Sequence, residues 1–488
     1  MKNIFISTSI PYVNSVPHIG HALEFVQADA IARFYRQRGA DVFFLSGTDD
    51  NALKNVQAAE AAGKAVGAFV DEHAEVFKKL LAILEVSNDD FIRTSRDERH
   101  IKGAQKLWAA CRPEDIYKKK YKGLYCLGCE EFKTEKDLID GECPEHPGRK
   151  LETVEEENYF FKLSNYQEKL EKILASGEIR VVPESRKNEM LAFIREGLAD
   201  FSISRSVARA KNWGVPVPGD PSQIMYVWFD ALSNYINALG YADEAPNFAK
   251  YWAKADDAIH VIGKGINRFH SIYWPAMLLS ARVRLPKNIF VHGYLTVDGA
   301  KISKTLGNVI DPFEVVGKYG ADATRHYLLR ETSAYGDGDF SYEKFAERYN
   351  GDLANGIGNL AARISTLAEK LGDIKIDLKK DTEPGIIAKI AETRDELNKT
   401  MGEFKFNDAL ASIFSLVSLA DKYVNDKKPW TAGDHRVTLA NALVLIDNIA
   451  ALLWPFLPAT SEKITAGIKW KDAETLSVKK ISNLFPRI

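Results

Sequence analysis

At 488 residues, with 45% hydrophobic and 27% charged residues, the chain has the composition of a globular protein of several domains. A net charge of −2 excludes bulk electrostatics as a source of nucleic-acid affinity, but a local basic surface stays compatible with an RNA partner. No uninterrupted apolar run approaches the ~18–20 residues that span a membrane, and the N-terminus lacks the apolar region and cleavage site of a secretory signal, so a cytoplasmic location is expected.

Residues 3–9 read as a buried strand that stops before Pro11. A Pro- and Asn-bearing loop leads to His18 and His21, and from Ala22 to Arg38 the apolar positions Leu23, Val26, Ala30 and Phe34 recur at helical spacing. A second strand, Val42 to Leu45, ends in Ser-Gly-Thr-Asp-Asp. Strand, loop, helix and strand open a parallel α/β layer, in which ligands sit at the carboxyl ends of strands. The histidine pair and the Asp49-Asp50 pair both fall there.

Residues 115–225 break the rhythm with three of the four cysteines and the run Lys118-Lys119-Lys120, and read as an insertion. The α/β rhythm returns at 258–278 and 288–308. Beyond about 345 the pattern turns helical. Leu353, Ile357, Leu360, Ile364, Leu367 and Leu371 form one apolar face, similar faces run through 406–424 and 437–454, and 373–385 is a linker. The expected fold is therefore α/β: a split Rossmann-like parallel-sheet domain (1–114 and 226–345) carrying a zinc-knuckle insertion (115–225), followed by an all-α helical bundle (346–488).

Two imidazoles three residues apart at a helix start can face one anion, because unpaired N–H groups and the positive dipole end lie there. Gly20 between them leaves the backbone open to a ligand. The same residues could equally be polar caps. The loop 298–308 carries Lys301 and Lys304 with Ser303 and Thr305, which suits the β- and γ-phosphates of a nucleotide, although a lysine-bearing loop is most often a solvated turn. Cys126-x-x-Cys129 and Cys143-x-x-His146 have zinc-knuckle spacing; four protein donors leave no open position, so the site is structural. Cys111 has no partner in this scheme and reads as a plain buried thiol.

The pairing of "HIGH" (18–21) with "KISKT" (301–305) resembles the class I aminoacyl-tRNA synthetases. "PYVNSVPHIGHA", "YVWFDALSNYI" (226–236), "RFHSIYWPAML" (268–278) and "HGYLTVDGAKISKTLGNVIDP" (292–312) are most similar to the methionyl-tRNA synthetases among them. The resemblance covers essentially the whole chain. It implies a two-step ligase that forms methionyl-adenylate and pyrophosphate from methionine and ATP, then transfers methionine to the 3′ end of tRNA(Met). The implied ATP contacts are His18, Gly20, His21, Lys301, Ser303 and Lys304. His18, His21, Lys301 and Lys304 would be the catalytic set, with Mg²⁺ sharing the phosphate charge. The implied methionine pocket is Ile10, Tyr12, Trp228, Ala231, Leu232, Tyr235, Ile266 and His270, with Asp50 on the substrate ammonium. Phe269, Tyr273 and Trp274 fit the pocket and the plain core equally. Asn359, Arg363 and Trp430 would read the anticodon, whereas pattern alone favours a capped amphipathic helix and a buried tryptophan.

The chain departs from the family at Asp50, Asn51 and Ala52, where Glu-His-Gly is common, and at Gly265, where an Asp usually contacts the nucleotide. Two rivals remain: a cysteinyl relative that grips its substrate thiol with zinc, and a non-catalytic zinc-bearing RNA-binding relative. With no further domain after 488, a monomer is expected.

Overall fold

The computed structural model describes residues 1–133, 135–146, 148–301, 308–378, 380–472, 474–481 and 484–488. The chain forms two compact units. One holds Met1–Pro17, Arg38–Leu81 and Ser87–His292; the other holds His18–Gln37, Ala82–Val86 and Gly293–Ile488.

The first unit is built on six parallel strands: β1 (Asn3–Thr8), β2 (Asp41–Thr48), β3 (Asp90–Arg93), β4 (Arg180–Val182), β5 (Asp257–Gly263) and β6 (Asn288–His292). Their spatial order is β3-β2-β1-β5-β6-β4. Ile4, Phe5 and Ile6 run consecutively apolar and are all buried, as expected of a central strand covered on both faces. From β1 the chain builds toward β2 and β3 on one side, while β5 and β6 fill the other. The strand order thus reverses beside β1, and the loops leaving β1 and β5 diverge there.

The 115–225 stretch gives one of its own strands, β4, to the edge of this sheet. The rest includes a four-stranded antiparallel sheet of Ile116–Cys126, Glu131–Lys133, Glu152–Phe161 and Phe201–Ser202. Its lysine run is a cross-strand charge ladder. Lys120 pairs in register with Glu157 and Lys122 with Glu155, and the Lys118 ammonium lies 3.0 Å from Asp220.

In the second unit α1 (Ile19–Gln37) belongs with the C-terminal helices, which include Pro384–Gly402, Phe406–Lys427, Arg436–Leu453 and Pro458–Gly467. Arg436–Leu453 is long and apolar enough on average to cross a bilayer, although polar residues such as Asn441 and Asp447 interrupt it. It is 67% buried inside the protein, as a core helix should be. A small sheet of Ile374–Lys375, Thr475–Val478 and Ile468–Trp470 accompanies the helices. The apolar face expected over 353–371 is split: a π-helical turn, Tyr349–Gly358, breaks at Gly356 before the α-helix Asn359–Glu369. Leu353, Ile357, Leu360 and Ile364 are buried, but Leu371 is exposed because the helix ends before it.

A wholly buried guanidinium ties this unit together. Arg325 bonds the carbonyls of Leu84 (3.1 Å), Pro455 (3.1 Å) and Phe456 (2.8 Å), and pairs with Asp29 of α1 at 2.7 Å. Asp29 is also buried and holds Arg33 at 2.8 Å. Removing one partner of such a pair strands a charge. Arg325→Leu is therefore expected to lower stability by about 3–5 kcal/mol in urea unfolding, with part of the loss recovered when Asp29→Asn is added.

Candidate active site and metal centre

The histidine pair sits at the first turn of α1. The Gly20 N–H donates to His18 Nδ1 (3.1 Å) and the His18 N–H to His21 Nδ1 (3.1 Å). Each Nδ1 is thus an acceptor, which puts the proton of each neutral ring on Nε2. The two rings lie 4.0 Å apart between centroids. Gly20 has a reason other than ligand approach: a Cβ there would lie 2.9 Å from His18 Cε1 and displace the ring.

The lysine loop belongs to the same unit. Leu295–Val297 and Ala300–Lys301 form a hairpin whose turn, Asp298-Gly299, takes positive φ at both residues. Asp339 braces it, accepting from Thr296 Oγ1 (2.6 Å) and the Gly299 N–H (2.8 Å). The backbone of Lys301 pairs with Thr296. Ser303, Lys304 and the rest of 302–307 lie outside the described residues. Three residues beyond that stretch, the Ile310 carbonyl accepts from the Ile19 N–H at 3.2 Å. The chain leaving the lysine loop is therefore anchored on the residue between the two histidines' backbones.

The residues expected around methionine belong to the first unit and gather at the strand-order reversal. Ile10 and Tyr12 follow β1, and Ile266 follows β5; all three pack against a cluster that includes Trp228, Leu232 and Tyr235. Ala231 is buried beside Trp228 on Val227–Leu232. Trp228 meets Tyr12 edge-on at 6.4 Å and stacks on Phe269 at 3.7 Å. His270 Nδ1 bonds the Ile266 carbonyl at 3.0 Å, so it carries the proton. Its Nε2 then accepts from the Tyr235 hydroxyl at 2.6 Å. Phe269, Tyr273 and Trp274 are all buried in the core.

The two aspartates separate clearly. Asp50 is wholly buried and accepts from Thr48 Oγ1 (2.8 Å), Ser95 Oγ (2.8 Å) and Arg93 Nε (3.0 Å). A carboxylate so occupied by an arginine and two hydroxyls anchors β3 and the residues after it. Asp49 bridges to Tyr12 along the backbone, and its Oδ1 accepts from the Asn51 backbone N–H (3.0 Å) and from Thr94 Oγ1 (3.5 Å). Burial, then the negative Asp230, push its pKa well above the usual carboxylate range. A cation placed there relieves both effects.

Sequence reasoning missed the polar groups beneath this cluster. Asp230 accepts from Asn51 Nδ2 (2.7 Å) and bonds His100 Nε2, so the departing Asn51 holds a carboxylate in place. Ser7 Oγ bonds His260 Nδ1 at 2.8 Å. Burial, with His270 nearby, lowers the His260 pKa well below its ordinary value and keeps it neutral. No motif marks His100 or His260. At Gly265 the chain makes a short 3₁₀ turn, Lys264–Ile266, with no side chain to offer a nucleotide.

Cys126, Cys129, Cys143 and His146 bring their donor atoms within 4.8 Å of one another. Individual separations run from 3.4 Å (Cys129 to Cys143, and Cys129 to His146 Nδ1) through 3.8 Å (Cys126 to His146) to 4.0 Å (Cys143 to His146). Tetrahedral bonds of about 2.3 Å to sulfur and 2.0 Å to nitrogen require donor separations of that size, so the residues fit a zinc ion. Gly128 allows the close approach, since a Cβ there would sit 2.4 Å from the His146 ring.

At the far end of the chain, Asn359 is exposed at the start of its helix. Arg363 bonds Asp421 Oδ1 (2.7 Å) and Asn425 Oδ1 (3.0 Å), and its guanidinium lies 5.8 Å from the Trp430 ring centroid. Trp430 is 50% exposed, which rules out the buried tryptophan that pattern alone favours. The indole face thus stands open beside a held guanidinium.

The family described as tRNA synthetases class I (M) matches residues 4–152 and 147–365, and the anticodon-binding domain of tRNA ligase matches 384–483. The methionine–tRNA ligase of Thermotoga maritima is 44% identical over 482 residues, covering 96% of this chain and 75% of that protein. That of Brucella suis is 41% identical, covering 95% and 91%. A Mycobacterium tuberculosis methionyl-tRNA synthetase solved in complex with methionyl-adenylate superposes with a TM-score of 0.89 at 37% identity, over 95% of this chain and 93% of that one. Another structure of the same enzyme bound by methionyl-adenylate gives 0.91 at 35% identity, over 99% and 100%. By sequence, by fold and by the groups assembled at the start of α1, the chain belongs to the class I tRNA synthetases, in the methionine–tRNA ligase family.

Proposed function

We propose that the protein activates methionine with ATP and transfers it to tRNA(Met). The observation that carries this reading is the bond from Ile19 to Ile310, which ties the histidine turn to the chain leaving the lysine loop. A methionine carboxylate oxygen attacks the α-phosphorus of ATP, the bond to the β-phosphate oxygen breaks, and pyrophosphate leaves with that electron pair. The Nε2–H donors of His18 and His21 hold the phosphates as charge builds. Lys301 and Lys304 hold the departing pyrophosphate, with Gly20 and Ser303 completing the nucleotide contacts. The terminal ribose hydroxyl of the tRNA then attacks the activated carbonyl and AMP leaves. Positioning and charge stabilisation supply the catalysis. Mg²⁺ carried by the triphosphate neutralises part of its charge.

In this reading 1–114 and 226–345 are the two halves of the nucleotide-binding domain, 115–225 is the connective insertion and 346–488 reads the anticodon through Asn359, Arg363 and Trp430. Zinc on the knuckle is structural. A cysteinyl relative needs a metal position open to the substrate thiol, and four protein donors leave none. Methionine suits the pocket because its polarizable thioether favours aromatic neighbours such as Tyr12, Trp228 and Tyr235. The ammonium partner is reassigned from Asp50 to Asp49, since Arg93 already occupies Asp50. The chain works as a monomer in the cytoplasm, where its tRNA is used.

Exchange of labelled pyrophosphate into ATP, tried with each amino acid, should proceed with methionine and with no other natural amino acid at comparable rate; full activity with cysteine alone would overturn the assignment. Lys304→Ala should lower the exchange rate by roughly 10²–10³. Asp49→Asn should raise the methionine KM roughly 30-fold or more while leaving stability at neutral pH equal or higher, because a carboxyl whose folded pKa is raised costs stability once ionised. Asp50→Asn should instead lower stability by about 3 kcal/mol, measured by denaturant unfolding. Since only the ionised Asp49 attracts an ammonium, the wild-type methionine KM should fall as pH rises through the raised Asp49 pKa, and Asp49→Asn should flatten that dependence.

A further inference from the structure

Glu130 follows the knuckle residue Cys129, and the mechanism gives it nothing to do. Its backbone is left-handed, with φ 53°, and its side chain is 0% exposed. Left-handed backbone is uncommon outside glycine, and a lone buried carboxylate is costly, so such a residue must be held by its partners. Those partners are not the metal ligands. Oε1 accepts from the Lys54 N–H at 2.7 Å, on the second residue of α2 (Leu53–Ala61). Oε2 accepts from the Tyr125 hydroxyl at 3.2 Å and from the buried Arg205 at 3.4 Å.

From there two short paths reach the aromatic wall. The Lys54 ammonium lies 4.5 Å from the centre of the Tyr12 ring. The carbonyl of Cys129 accepts from the Trp228 indole at 3.4 Å. Tyr12 and Trp228 touch each other edge to face. The knuckle thus grips one ring through its own backbone and the other through Glu130 and Lys54.

We propose that Glu130 is a positioning residue that transmits the metal-held shape of the knuckle to the methionine pocket, so that methionine affinity depends on metal occupancy. With the four donors drawn onto zinc, the 126–129 turn has one conformation. Glu130 then fixes the start of α2, and the Tyr12–Trp228 wall stands in the geometry that receives the substrate side chain. Without the metal the turn loses its constraint, and both rings lose a support. The inference rests on the reading of Tyr12 and Trp228 as methionine contacts.

The test uses the full chain, zinc-loaded, as wild type, Glu130→Gln and Trp228→Ala. Zinc content is measured by atomic absorption, methionine Kd by equilibrium dialysis without ATP, and KM for methionine and for ATP by pyrophosphate exchange. Glu130→Gln should keep one zinc per chain, raise methionine Kd and KM roughly tenfold, and leave the ATP KM and kcat within about twofold. Wild type stripped of zinc by a chelator, with its far-UV circular dichroism unchanged, should show the same rise in methionine Kd. Glu130→Gln that holds zinc and binds methionine normally overturns the proposal. So does Glu130→Gln that loses its zinc, which would make Glu130 a support of the knuckle alone. Should Glu130→Gln not fold, the stripped wild type decides: an unchanged methionine Kd overturns the proposal. Trp228→Ala separates the two readings. An unchanged methionine KM in that variant refutes the pocket, whereas a raised KM there with a normal Glu130→Gln refutes the coupling only.

Discussion

The constraint on which the first unit depends is the reversal of strand order beside β1. Parallel strands carry their connections away at their carboxyl ends, and only where neighbouring connections leave in opposite directions does a crevice open without cutting into the hydrogen-bonded ladder. Here β1 and β5 are those neighbours, paired from Ile4 with Asp257 to Thr8 with Val261. Ile10 and Tyr12 lie just beyond β1 and Ile266 just beyond β5, where all three pack against the aromatic cluster. Ser7 and His260, directly opposite each other in register, share a hydrogen bond just below.

Buried charge is the second organising theme. Asp50 with Arg93, Asp230 with His100 and Asn51, Glu130 with Arg205, and Asp29 with Arg325 each place an ionisable group away from water with partners supplied by a different part of the chain. Such pairs are weak contributors to net stability but heavily penalised when half removed, so they fix one arrangement against near alternatives. Asp49 differs from all of them. Burial, and then the negative charge of Asp230, push its pKa well above the usual carboxylate range.

The family and the cysteine–histidine cluster were legible because each rests on residue types at a fixed spacing, such as the Cys-x-x-Cys and Cys-x-x-His pairs. What was not legible depended on direction. Asp49 and Asp50 are adjacent at the end of a strand, where successive side chains point to opposite faces, so composition says nothing about which one meets the substrate. The tautomers of His18 and His21 follow from backbone N–H groups whose aim exists only once the turn is folded. Leu371 matched the helical period but lay beyond a helix that ends at Glu369, and Trp430, which pattern alone would bury, stands half exposed as the resemblance implied. Glu130 carries no motif at all; its importance comes from partners 5 to 76 residues away in sequence.

Arg325 has a consequence for how this protein can be divided. Its guanidinium spans Asp29 of the helix that bears the histidines and the carbonyls of Pro455 and Phe456, in the turn between two C-terminal helices. The RNA-reading region is therefore no detachable accessory. A shortened gene product ending before that turn would leave a permanent charge without two of its acceptors, and the loosening would be felt first by the helix that opens with the two imidazoles.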